Sequence, residues 1–188
     1  MEIAFSSFVE KGYENTNIRQ LCKSAKVEPP TIYYYFQSKR GLFFAIVENL
    51  IEKYKSQLEE RNVVQLPTEP EIKLYELLRF NLQYSINNPK DLKFYIRYNL
   101  FPPYEILEEL NDYLKLYKKG IYDLEDKIFE ECYRKGSISQ ERICSVRNVY
   151  NMFVANHCYD TVMFGYCPSE EELPRIWEYF VKYKLLSK

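Results

Sequence analysis

The chain has 188 residues and a formal net charge of −1, with 26 basic against 27 acidic side chains, which excludes a uniformly basic coat for nucleic acid and a long acidic tail. Five glycines and no recurring apolar-polar alternation exclude a β-rich architecture, so the chain reads as all-α. Cys22, Cys132, Cys144, Cys158 and Cys167 are odd in number and lack a C-x-x-C pair, and His157 is the single histidine, so reduced thiols in a cytoplasmic protein with no metal and no cofactor are expected.

In chain order, Ile3, Ala4, Phe8 and Val9 stripe a first helix that stops at Gly12-Tyr13. Thr16 stands as N-cap of a second helix, whose Ile18, Leu21, Cys22 and Ala25 recur at i, i+3, i+4 and i+7. A tight turn at Lys26-Val27 leads to a third, capped by Glu28 and begun by Pro29 and Pro30, since prolines are tolerated where backbone N–H groups have no helical partner. Ile32, Tyr35 and Phe36 are expected to face inward, leaving Thr31, Tyr33 and Tyr34 pointing outward. Two short helices joined so tightly, the second displaying hydroxyls and rings, form a helix-turn-helix that places the second helix in the major groove. Charge agrees: residues 11–40 hold six basic and two acidic side chains, net +4, against −5 for the remainder.

These residues resemble the DNA-binding domain of the TetR family. The likeness rests on Phe8, Glu10-Lys11-Gly12-Tyr13, Thr16, Ile18-Arg19-Gln20-Leu21, Val27, Thr31-Ile32-Tyr33, Tyr35-Phe36 and Ser38-Lys39. It implies a DNA-binding domain over residues 1–50 and a helical effector-binding and dimerisation domain over 51–188. It further implies that Thr16, Tyr33 and Lys39 hold phosphates of a double-stranded operator, while Arg19, Pro30, Thr31 and Tyr34 lie nearest base edges, with Tyr35 partly core. Two departures stand out. Lys26 occupies a position where the family commonly has glycine, so it must adopt a near left-handed conformation. Pro29 stands where the tetracycline repressor has a base-reading glutamine, and it has no side-chain donor. The family also usually carries a short basic lead-in ahead of its first helix, and this sequence is expected to start inside that helix.

Beyond residue 38 the sequence reads as a bundle. Ser38 caps a long helix bearing Leu42, Phe43, Ile46, Val47, Leu50, Tyr54 and Leu58, the mechanical link between the two parts. Residues 63–70 form a loop, 72–86 a helix apolar on nearly every face, 91–101 a short aromatic helix, and 104–134 a long helix at three-four spacing. A helix over about 140–165 has two faces to bury, and Asn151, Asn156, His157 and Asp160 rule it out as a membrane span. The last helix begins at Glu170-Glu171-Glu172 and carries Leu173, Ile176, Trp177, Phe180 and Val181 in one stripe. Paired with symmetry mates, these two helices would give the four-helix homodimer interface the family uses, through Val149, Phe153, Ile176, Trp177 and Phe180; the competing reading is that the stripe covers the chain's own core.

The aromatic middle helices suggest a cavity for a small hydrophobic or aromatic effector near Tyr98, Phe101, Tyr117, Phe153 and His157. The expected protein is a repressor released from its operator by that effector. The alternative is a DNA-binding regulator whose bundle is a protein-interaction module without a pocket. An enzyme is disfavoured, because the sequence shows neither a glycine-rich phosphate loop nor a metal-ligand cluster.

Overall fold

The computed structural model describes residues 1–185, which contain helices and turns and no strand. The helices are α1 Glu2–Asn15, α2 Ile18–Ala25, α3 Pro29–Phe36, α4 Lys39–Arg61, α5 Pro70–Asn87, α6 Pro89–Leu100, α7 Leu107–Arg134, α8 Ile143–Phe164 and α9 Glu172–Phe180. Short 3-10 turns at Val63–Gln65, Tyr104–Ile106 and Gln140–Arg142 precede α5, α7 and α8.

Local chemistry sets these limits. Gly12, at φ 85°, bends α1 into its last turn, and a Cβ there would meet the Arg97 guanidinium at 2.5 Å. Prolines begin α3, α5 and α6, and Pro102-Pro103 separates α6 from α7. Ser38 Oγ accepts from the Gly41 N–H at 3.0 Å and so caps α4 as expected. Gly165 closes α8 in the left-handed region. α9 starts later than its acidic run: Ser169 and Glu172 bond each other's backbone N–H at 3.1 and 3.0 Å, a capping box that leaves Glu170 and Glu171 ahead of the helix.

The described chain forms two compact units that do not follow a break at residue 50. The first comprises residues 1–57 and 90–118, the second residues 58–89 and 119–188. In the first, Phe8, Leu42 and Phe43 are buried with Phe94, Tyr98, Ile106 and Leu110, so α6 and the start of α7 complete the core of the helix-turn-helix. Phe43 touches Phe8, Tyr13, Phe94 and Tyr98 with ring centroids 4.8–5.4 Å apart. In the second, α5 packs along α8, and Leu74, Leu78, Ile128, Phe129, Tyr150, Trp177 and Phe180 are buried. Tyr150 anchors it, donating its hydroxyl to the Leu74 carbonyl at 2.9 Å. α5 is less enclosed than its sequence implies, since Ile72 and Ile86 are exposed at either end.

Candidate nucleic-acid interface

The turn between α2 and α3 is built as the sequence requires. Lys26 sits at φ 55°, ψ 42°, and the Val27 N–H returns to the Cys22 carbonyl at 3.0 Å, closing α2 without glycine. The N-cap of α2 is Asn17 rather than Thr16: Asn17 Oδ1 accepts from the Arg19 N–H at 2.8 Å and the Gln20 N–H at 3.4 Å. Thr16 is buried, with its hydroxyl donating to the Gly12 carbonyl at 2.7 Å. Because that single proton is committed, the 3.2 Å contact with Ser7 Oγ must have Ser7 as donor. The Thr16 side chain therefore ties α1 to α2 and does not present its hydroxyl outward for a phosphate. Glu28 occupies the N-cap of α3 but makes no side-chain cap bond: Pro30 has no N–H at the second helical position, and the Thr31 N–H at the third goes to the Glu28 carbonyl at 3.0 Å.

α3 buries only Ile32. Tyr33, Tyr34 and Tyr35 are 50%, 81% and 71% exposed, so the inward reading of Tyr35 is corrected. Tyr35 edges an open groove of about 320 Å³ between α3 and the start of α1, walled by Ile3, Ala25 and Ile32. The Tyr34 and Tyr35 rings meet edge-on at 5.1 Å. Arg19, Lys23, Pro30 and Thr31 are exposed and Pro29 is half-buried. Lys39 is held: its ammonium lies 4.3 Å above the Tyr13 ring and donates to the Tyr13 carbonyl at 3.0 Å. A cation is thus fixed at the end of α1, beside the helix-turn-helix. Burial, the main cause, raises the Tyr13 phenol, so this ring stays neutral under the lysine.

Residues 1–46 match the family described as bacterial regulatory proteins, tetR family. This match assigns the first 46 residues to a DNA-binding domain of the TetR type. A curated relative, the probable HTH-type transcriptional regulator YttP of Bacillus subtilis, is 31% identical over 126 residues, 66% of this chain and 59% of the relative. The chain spans about half the length of the curated relatives it matches. A putative fatty acid metabolism regulator of Clostridium perfringens superimposes with TM-score 0.72 at 20% identity, covering 98% of this chain and 95% of that one. The transcriptional regulator FadR of Bacillus subtilis, solved with stearoyl-CoA, gives TM-score 0.71 at 17% identity over 98% and 95% of the two chains. At such identities the likeness shows the fold.

The residues the sequence suggests for an effector are divided between the units. Tyr98, Phe101 and Tyr117 belong to the first, Phe153 and His157 to the second. Tyr98 is a core residue whose hydroxyl donates to the Phe8 carbonyl at 3.0 Å, so it offers no free handle; burial raises its phenol well above the ordinary value. Phe101 is exposed, and Tyr117 packs against Tyr54 and Tyr95. The Phe153 and His157 rings meet at a tilt with centroids 4.4 Å apart, and His157 Nδ1 lies 2.8 Å from the Phe153 carbonyl, which can only accept, so Nδ1 is the donor in that bond.

The dimer residues divide too. Trp177 and Phe180 are buried in the chain's own core among Tyr75, Tyr150 and Phe153, and so the α9 stripe covers that core. Ile176 and Phe153 are half-buried. Val149 is exposed on α8 together with Met152, Tyr159 and Met163, which share one face at spacings of three, seven and four. The sequence reading named only the first of these four, although their periodicity was visible.

One polar group escaped it altogether. Glu125, on α7 between Ile121 and Ile128, is 5% exposed, and its Oε2 has no hydrogen-bond partner among the described residues. Burial pushes its carboxyl up to about 7, offset in part by a bond from Asn151 and the charge of Arg147. The signal was an acid at i+4 from one apolar-face residue and i−3 from the next. Among the described residues no helix is long and apolar enough to cross a membrane, and no cluster of three or more His, Cys, Asp or Glu could hold a metal ion.

Proposed function

We propose that the chain is a homodimeric repressor that leaves its operator when a small apolar or aromatic effector binds among the helices of the second unit. The observation that carries the DNA half is α3 itself, an outward tyrosine ladder beside exposed Arg19 and Lys23 and the fixed Lys39. Tyr33 and Lys39 would hold phosphates, and Arg19, Thr31 and Tyr34 would read base edges; with two prolines at the start of α3, recognition leans on thymine methyl groups and DNA shape. The dimer half is supported by the apolar face Val149, Met152, Tyr159 and Met163, which the chain leaves exposed. A two-fold pair would set its recognition helices at half-sites roughly 34 Å apart, one turn of the duplex. The effector half is supported by the fold shared with a regulator solved with stearoyl-CoA, whose long apolar tail is the chemistry proposed for the ligand body. α4 runs from the first unit into the second, so a shift of its far end is a direct route from effector to DNA.

The test begins with duplexes selected from a random pool by the purified protein. Lys39→Ala should lower affinity for the selected duplex and reduce the slope of log affinity against log salt by about 1. Met152→Glu should turn a sedimenting dimer into a monomer with an unaltered helical spectrum. Retention of both affinity and salt slope by Lys39→Ala, or a dimer untouched by Met152→Glu, would remove the corresponding assignment.

A further inference from the structure

We propose that Glu125 is the polar anchor for an effector head group, and that this head is a cationic amine or similar strong donor on an apolar body. The inference rests on the reading that the second unit binds an effector and adds the chemical class of the head.

The geometry leads there by elimination of internal partners. Glu125 lies on α7, and the groups facing it come from α7 itself and from α8: Asp126, Arg147, Tyr150 and Asn151. Arg147 is paired with Asp126; its charge favours the Glu125 carboxylate somewhat more than Asp126 opposes it, yet it gives Oε2 no hydrogen bond. The Tyr150 hydroxyl donates to the Leu74 carbonyl, and the Asn151 side-chain amide donates one hydrogen bond to Glu125. One oxygen of a buried carboxyl is thus left without a donor, an arrangement that folded proteins avoid unless something else serves it. The fold does not require an acid here: Ile121, Leu124 and Ile128 show that the surrounding face of α7 is apolar, and a leucine would pack without that cost. A ligand bringing a positive donor would satisfy the free oxygen and neutralise the charge in one step. A fatty carboxylate would bring a second negative charge to the same place and be rejected.

The experiment compares decylamine with decanoate, equal in chain length and opposite in head charge, by calorimetry on the full chain at pH 6 and pH 8. Decylamine should bind roughly ten times more tightly at pH 8 than at pH 6, because the carboxyl ionises across that interval while the amine stays charged, and decanoate should show no such gain. Glu125→Gln, which keeps the size and removes the charge, should weaken decylamine by about tenfold or more at pH 8 and flatten the pH profile. The wild-type profile stands on its own should the variant fold poorly. Equal binding of the two probes, or an amine affinity indifferent to both pH and the substitution, would overturn the proposal. Release of the selected duplex by decanoyl-CoA with decylamine inert would overturn it as well, while leaving the effector-controlled repressor intact.

Discussion

α3 and α9 are helices of eight and nine residues, each dense in aromatic side chains, yet α3 buries only Ile32 whereas α9 buries Leu173, Trp177 and Phe180. Both carry an apolar stripe at helical spacing. What separates them is the neighbour: α9 lies over Tyr75, Tyr150 and Phe153, while Tyr35 of α3 borders an open groove. A stripe therefore shows that a helix can bury a face, and the rest of the chain decides whether it does.

Substitutions can break or sharpen that contrast. Trp177→Glu should have the largest effect, costing about 4 kcal/mol or more, because it removes a buried ring and inserts an unpaired charge. Chemical denaturation followed by far-UV circular dichroism checks it; a folded monomer of native stability would return the α9 stripe to the dimer interface. Second, Glu125→Gln should stabilise the protein at pH 8 by up to about 3 kcal/mol. The carboxyl holds its proton up to about pH 7 in the folded chain against an ordinary 4.5, so native stability falls as pH rises between those values and stays low above them. Denaturation midpoints at pH 5 and pH 8 should converge in the variant. Third, Asn17→Ala should cost about 1 kcal/mol as the loss of the α2 cap; an unchanged midpoint would mean that the N–H groups of Arg19 and Gln20 are served equally well by water. The smallest effect on folding belongs to Tyr34→Ala, within about 0.5 kcal/mol, yet duplex affinity should fall by roughly tenfold. If stability fell and affinity held, the outward face of α3 would be structural.

The limits of what could be read from sequence follow the range of the interactions. The helix-turn-helix was legible because its markers are local: Gly12, the turn at Lys26, two prolines at the start of α3, Ser38 at the start of α4. Local patterns also placed helices over about 104–134 and 140–165, which the structure trims to α7 and α8. The cap of α2 was misplaced by one residue, since Thr16 and Asn17 are both good caps and only the buried bond to Gly12 distinguishes them. Tyr98 was assigned to an effector cavity because nothing in its own helix reveals that α6 packs against Phe8 and Phe43, some 50 to 90 residues earlier. Glu125 was overlooked among the many charges of α7, although its apolar flanks set it apart.

The composition of α3 bears on the energetics of binding in another way. Pro29, Pro30, Thr31, Ile32, Tyr33, Tyr34, Tyr35 and Phe36 include no side chain with more than two freely rotating bonds before its ring or terminus. A recognition surface made of arginine, lysine and glutamine must freeze long chains on the duplex, at about 0.5–1.5 kcal/mol for each rotamer-rich residue held. This one is stiff before it meets DNA. Its affinity loses little to ordering, and it has little freedom to re-aim at a mismatched site. In the proposed complex, discrimination among operators would then fall to the duplex and to Arg19, the one long side chain placed at the base edges.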